Sequence, residues 1–267
     1  MKLRFFSLIL LVFVSCDFID FGGMFVSSQI DDRFREKDSL KNFNPPQITD
    51  TNNFSFLVIS DTHYYKTQLN YIKDIENNKN NWNISFIVIN GDIVQNGLKE
   101  AFNLVKEDIA QTTLPIYPVI GNHDVYFNGF DTYKEVFGRT IYDFKIGETH
   151  LIFLDTANGT LGEGQKNYLI DTLKNSTAKN KIVFTHYSFI DKEVESATSV
   201  SNLEESYFIF DLFEKYKVNY CITGHLHFSD YKEIRGTKYI IVNNRGGDSN
   251  YYLKISVKNG ILEHIVF

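Results

Sequence analysis

Residues 54–63 read FSFLVISDTH, an apolar run that ends in an aspartate and a histidine. A run of this length between polar neighbours suits a strand covered on both faces, and Asp61 and His63 stand where that strand stops. The arrangement recurs four times downstream. ISFIVIN at 84–90 is followed by Gly91-Asp92, and residues 116–120 by Gly121-Asn122-His123-Asp124. Residues 181–185 are followed by His186, and 219–223 by Gly224-His225-Leu226-His227. Each cluster alone is weak, because a polar residue after a strand is usually part of a turn. Five in order are different. Ligands of open α/β sheets bind beyond the carboxyl ends of the strands, so parallel strands would bring all five clusters to one edge. Five of the seven histidines in the chain lie in these clusters.

The residue types suit a metal. Carboxylate, imidazole and amide oxygen together fit first-row ions of intermediate hardness, such as Mn, Fe or Zn. With only Cys16 and Cys221 in the chain, all-thiolate sites are excluded. Asp61, His63, Asp92, Asn122, His186, His225 and His227 are too many for one tetrahedral zinc. They suit two ions about 3.5–4 Å apart that share a carboxylate, the clamp used in phosphate-ester hydrolysis. Glycines 91, 121 and 224 would let the backbone approach closely.

The order D-x-H, G-D, G-N-H-[DE], H, G-H-x-H resembles the calcineurin-like metallophosphoesterase superfamily over about residues 54–245. The resemblance implies that Asp61, His63 and His227 hold one metal and that Asn122, His186 and His225 hold the other, with Asp92 as the bridge. It further implies that a bridging hydroxide attacks phosphorus while His123 donates a proton or stabilises charge. Asp92 and His123 are thus the expected catalytic pair, and a phosphate-ester small molecule or nucleotide is the expected substrate. The protein Ser/Thr phosphatases carry G-D-x-V-D-R-G, whereas this chain reads Gly91-Asp92-Ile93-Val94-Gln95-Asn96-Gly97. The Asp that would orient His123 and the Arg that would bind phosphate are missing, which leaves Asp124 as a candidate partner of His123. Residues 90–97, with Leu154-Asp155-Thr156, Gly162 and the helical stretch 165–173, look more like the bacterial cyclic-nucleotide phosphodiesterase branch.

Around these clusters, helical spacing appears at 65–78, 98–109, 131–137, 165–173 and 204–215. Further strands are expected at 141–146 and 150–155, joined through Gly147-Glu148, and at 239–243, 251–257 and 261–267. Strand–helix alternation argues for an α/β protein. The strand-rich tail favours two packed mixed sheets flanked by helices, a four-layer αββα sandwich with a dinuclear site at the C-terminal strand ends. His150 and His264 fall within strands and are expected to be structural. Arg245 could touch phosphate or belong to a solvated loop. Tyr64 and Tyr65 could line the pocket or pack.

The composition agrees. Of 267 residues, 43% are hydrophobic and 22% charged, which excludes a disordered chain. A net charge of −6 argues against stable nucleic-acid binding on a basic face. The chain opens with MKLRFFSLILLVFVSC, in which Lys2 and Arg4 precede an apolar run at 5–14. That run is shorter than the roughly 20 residues a spanning helix needs and has the form of a signal peptide. Phe13-Val14-Ser15-Cys16 resembles a bacterial lipobox. The resemblance implies that residues 1–15 are removed, that Cys16 is acylated, and that the protein is an extracytoplasmic lipoprotein held at a membrane by lipid. Residues 16–52, mixed in charge and ending in an extended stretch at Pro45-Pro46, read as a tether, with the domain at 53–267.

Overall fold

Because successive side chains of a strand point to opposite faces, an apolar run feeds two layers at once. In the computed structural model, Phe54, Phe56 and Val58 enter one core while Leu57 and Ile59 enter another. The next strand repeats the division, with Val88 in the first core and Ile87 and Ile89 in the second. The structure describes residues 26–65, 70–190, 203–243 and 252–267. The expected leader at 1–15, Cys16 and Arg245 lie outside the described residues.

Among the described residues eleven strands form two sheets. The first contains β1 (Asn53–Ile59), β2 (Ile87–Asn90), β3 (Ile116–Val119), β10 (Leu253–Lys258) and β11 (Ile261–Val266), in the order β11-β10-β1-β2-β3. The second contains β4 (Tyr142–Ile146), β5 (Thr149–Phe153), β6 (Asn180–Phe184), β7 (Tyr220–Thr223), β8 (Asp230–Ile234) and β9 (Thr237–Ile241), in the order β4-β5-β6-β7-β9-β8. β1, β2 and β3 run parallel, as do β5, β6, β7 and β9; β4, β8, β10 and β11 run antiparallel to their neighbours. The β10–β11 hairpin turns at Asn259-Gly260, both at positive φ, as a tight two-residue turn requires.

The sheets pack face to face over an aromatic core. Phe153 lies flat against Phe184 at 4.8 Å and Tyr142 at 4.4 Å, and Phe56 meets Phe184 across the two sheets. Six Phe and three Tyr side chains are buried here. Helices α2 (Tyr71–Trp82), α3 (Lys99–Ile109) and α4 (Gly129–Val136) cover the first sheet. Helices α5 (Gly162–Lys174) and α6 (Leu203–Tyr216) cover the second. The result is the expected four-layer αββα sandwich. Among the described residues no helix is long and apolar enough to cross a membrane.

The segment read as a tether differs from that reading where it is described. Ile30–Glu36 forms α1 and packs on α5, with Phe34 edge-on to Tyr168 at 6.4 Å. Val26, Leu40 and Phe43 reach the core beneath α2–α4, and Phe43 and Ile48 also touch the core between the sheets. The reading missed this because the helix buries only Ile30 and Arg33, and one of those two is charged. A second omission is β8, whose sequence DYKEI alternates between half-buried and exposed at a sheet edge.

Candidate metal centre

The five clusters arrive together because their strands are parallel within each sheet. The turns after β1 and β2 pair through Asp61 N–H to Gly91 O and His63 N–H to Asp92 O, both 3.0 Å. The turns after β6 and β7 pair through Gly224 N–H to His186 O at 2.9 Å. The two sheets meet at Asn90, whose main-chain oxygen accepts from His186 Nδ1 at 3.0 Å and whose amide donates to Thr185 O at 3.0 Å.

Among the described residues two groups of donor atoms result. Those of Asp61, His63, Asp92 and His227 lie within 4.8 Å of one another, and Asp92, His186 and His225 form a second such group. Asp92 is common to both. Its Oδ2 lies 3.1 Å from His186 Nε2, 4.0 Å from His63 Nε2 and 3.9 Å from His123 Nε2, while Oδ1 accepts from His123 N–H at 2.9 Å. Asp61 turns Oδ2 toward the Ser60 hydroxyl at 2.6 Å and leaves Oδ1 at 3.3 Å from His227 Nε2. The Nε2 atoms of His63 and His227 stand 3.1 Å apart. Two nitrogens on one ion at 2.0–2.1 Å, subtending 90–109°, are about 2.8–3.4 Å apart. The spacing suits two ligands of a shared cation as well as a hydrogen bond between the rings.

Several features are hard to explain without cations. Asn122 Oδ1 is buried without a hydrogen-bond partner, and the Asn122 amide is spent on Tyr126 at 2.9 Å. Such an orphaned atom ordinarily costs stability. Among the described residues, eleven other than glycine have positive φ, and five of them are Asp61, His63, Asp92, His225 and His227. Each such conformation costs on the order of 1–3 kcal/mol, strain that gathers at functional sites. Two glycines make room for donors. A Cβ on Gly91 would fall 2.3 Å from His186 Nδ1, and one on Gly121 would fall 2.2 Å from Asp92 Oδ1.

The electrostatics match the donor set. Burial holds the imidazoles of His63 and His225 down to about 4, so both present neutral nitrogens at pH 7. Burial also works against charge on His186, but the Asp92 carboxylate raises it to about 9. Asp92 resists its own burial because His186, His123 and His63 surround it and hold it well below the usual carboxylate range. Asp61 is likewise lowered against burial, by His227 and His186. Two buried carboxylates, the neutral imidazoles of His63 and His225 and the unpartnered Asn122 Oδ1 fit two divalent cations sharing Asp92.

His123 is oriented differently from expectation. Its Nδ1 meets the main-chain oxygen of Gln95 at 2.6 Å, so that nitrogen carries the hydrogen. Asp124 takes no part. Fully buried, it accepts from Val94 N–H at 2.9 Å and Gly121 N–H at 2.8 Å and braces the turn between β3 and α4. Burial, then Asp92, push its carboxyl up to about 8. A carbonyl contact of this kind has no side-chain signature, so only the coordinates reveal it.

Tyr64 is buried with its hydroxyl on Asp108, and Tyr65 is exposed. His150 has both nitrogens satisfied, by Ser176 and Asp143 at 2.8 Å each, and His264 packs edge-on against Tyr220. Two residues near the centre carried no sequence signal for their role. Tyr187 stacks on His225 with ring centroids 3.9 Å apart, and the Thr156 hydroxyl accepts from the main chain of His186 and Tyr187.

Comparisons with known proteins point the same way. A protein of Fibrobacter succinogenes named a probable cyclic nucleotide phosphodiesterase is 27% identical over 111 residues, covering 39% of this chain and 42% of that one. The chain thus matches less than half the length of that relative. A dimetal phosphatase from Danio rerio shares the fold at 13% identity and TM-score 0.63, over 80% of this chain and 98% of that one. GAP50 of Plasmodium, described as the anchor in the inner membrane complex, does so at 16% identity and TM-score 0.63, over 80% and 84%. The calcineurin-like phosphoesterase profile matches residues 54–229. A match over that much of the chain settles membership: this protein belongs to the calcineurin-like phosphoesterase family.

Proposed function

We propose that the protein is a dinuclear phosphodiesterase, held by lipid on Cys16 at an extracytoplasmic membrane face. The observation that carries the two-ion reading is the sharing of Asp92 between two donor groups. Asp61, His63 and His227 would hold one ion, Asn122, His186 and His225 the other, and Asp92 would bridge them. Bound there, two first-row ions such as Mn²⁺, Fe or Zn²⁺ lower the pKa of water and neutralise phosphate charge.

The side chains then divide the remaining work. The Gln95 carbonyl can only accept, so it fixes the His123 hydrogen on Nδ1 and leaves Nε2 facing Asp92. In its doubly protonated form His123 can pass the Nε2 proton to a leaving oxygen. Two things support a diester. Gln95 and Asn96 stand where the phosphoprotein branch has an Asp and a phosphate-binding Arg, and a diester carries less charge to neutralise than a monoester. The Fibrobacter relative is named a probable cyclic nucleotide phosphodiesterase.

The anchor reading rests on Cys16 at the end of the apolar run. Val26 pairs with Tyr126 and Phe127, three and four residues after His123. The chain from Cys16 to Val26 spans about 35 Å at most. A lipid on Cys16 would therefore keep the centre close to the bilayer.

The test is hydrolysis by purified protein in Mn²⁺ of bis(p-nitrophenyl) phosphate, p-nitrophenyl phosphate and a panel of cyclic nucleotides, linear diesters and phospholipid head groups. Turnover of diesters in preference to the monoester is expected. Turnover of the monoester alone would make the protein a phosphomonoesterase or a pyrophosphatase. No turnover with less than one metal per chain would make it a binding lipoprotein.

A further inference from the structure

Arg33 is fully buried on α1, a segment that precedes the matched family region. Its guanidinium forks onto Asp155, with Nε to Oδ2 at 2.7 Å and Nη2 to Oδ1 at 2.8 Å. Nη2 also donates to Asn158 Oδ1 at 2.8 Å, and Nη1 to Ser28 O at 2.9 Å. A planar fork of this kind fixes its partner in orientation as well as in place. Asp155 is held at its backbone too: its N–H reaches Gln165 Oε1 and its carbonyl accepts from Gln165 Nε2, both 2.7 Å. The turn after β5 is therefore clamped between α1 and α5.

The next residue leads to the metal centre. Thr156 Oγ1 accepts from His186 N–H at 3.2 Å and Tyr187 N–H at 2.9 Å, and the Tyr187 ring lies against His225. Both imidazoles of the second donor group thus trace back to Thr156. The other group has a brace of its own, the Ser60 hydroxyl on Asp61. We propose that Arg33 is a positioning residue for the ion site of Asp92, His186 and His225, acting through Asp155 and Thr156; this rests on the two-ion reading above. Loosening the fork should shift His186 by more than the roughly 0.2 Å that a metal–ligand bond tolerates. One ion would weaken and the other would not.

The experiment is Mn²⁺ binding by titration calorimetry, with electron paramagnetic resonance to count coupled pairs, on the wild type, Arg33→Lys, Thr156→Val and Thr156→Ser. Circular dichroism confirms that each is folded. The wild type should bind two ions. Arg33→Lys keeps the charge but loses the fork, and Thr156→Val loses only the hydroxyl. Both should keep the affinity of one ion and weaken the other about tenfold, with the coupled signal replaced by a mononuclear one. Thr156→Ser should restore the pair. If Arg33→Lys does not fold, Thr156→Val decides, because it leaves the Arg33–Asp155 pair intact. Two wild-type affinities in Thr156→Val, or equal weakening of both ions, would overturn the proposal. A wild type that binds a single ion would remove the two-ion reading and this inference with it.

Discussion

Replacing Gly91 with alanine would place a methyl carbon 2.3 Å from His186 Nδ1 and 2.5 Å from Cγ. Ordinary contact begins near 3.4 Å, so the imidazole must retreat by about 1.1 Å, several times the roughly 0.2 Å that a metal–ligand distance tolerates. The backbone gives no relief, because Gly91 sits at φ +91°, where an alanine is strained by on the order of 1–3 kcal/mol. Moving the ring also breaks the 3.0 Å bond from Nδ1 to Asn90 O, worth about 1 kcal/mol. The sum, about 2–4 kcal/mol, lies below the 5–15 kcal/mol that holds an ordinary domain together. Gly91→Ala should therefore fold, melt roughly 5–15 °C lower, and retain one ion where the wild type holds two. Metal emission analysis after dialysis, beside a thermal melt, reads both effects. A folded variant with two ions and wild-type turnover would refute the placement of His186 against Gly91.

Other substitutions probe the remaining parts. Asp92→Asn keeps the shape but gives up the shared anionic oxygen, so turnover of a generic diester should fall by about two or more orders of magnitude with little change in the melt. Glu76 is held down to about 2, first by Lys79 at 2.6 Å and then by the Thr112 hydroxyl at 2.7 Å. With a folded value below the ordinary 4.5, its contribution is complete above pH 4.5 and fades as pH falls toward 2. The stability gap between wild type and Glu76→Gln in urea should narrow over that window, and a constant gap would contradict the assignment. Cys16→Ser should release the protein from the membrane fraction or block its processing, and unchanged extraction by detergent alone would argue for another anchor.

The strands that carry the centre were readable because both of their faces are covered. Residues 56–59 and 182–184 stand out as unbroken apolar runs, and the donors Asp61 and His186 follow within two residues. The partner of His123 was not readable, since an oxygen on the Gln95 backbone looks the same whatever its side chain. Nor was the left-handed conformation at Asp61, His63 and Asp92, which the sequence would sooner assign to glycine or asparagine. Helix α1 escaped because its main buried contact is an ion pair rather than an apolar stripe. Arg33 and Asp155 lie far apart in the chain, and neither looks unusual until both are seen without solvent.

The most direct measurement is anomalous diffraction from crystals grown with Mn²⁺. Two peaks about 3.5–4 Å apart are expected, one on each side of Asp92. A single peak on Asp61, His63 and His227, or peaks away from Asp92, would contradict that expectation.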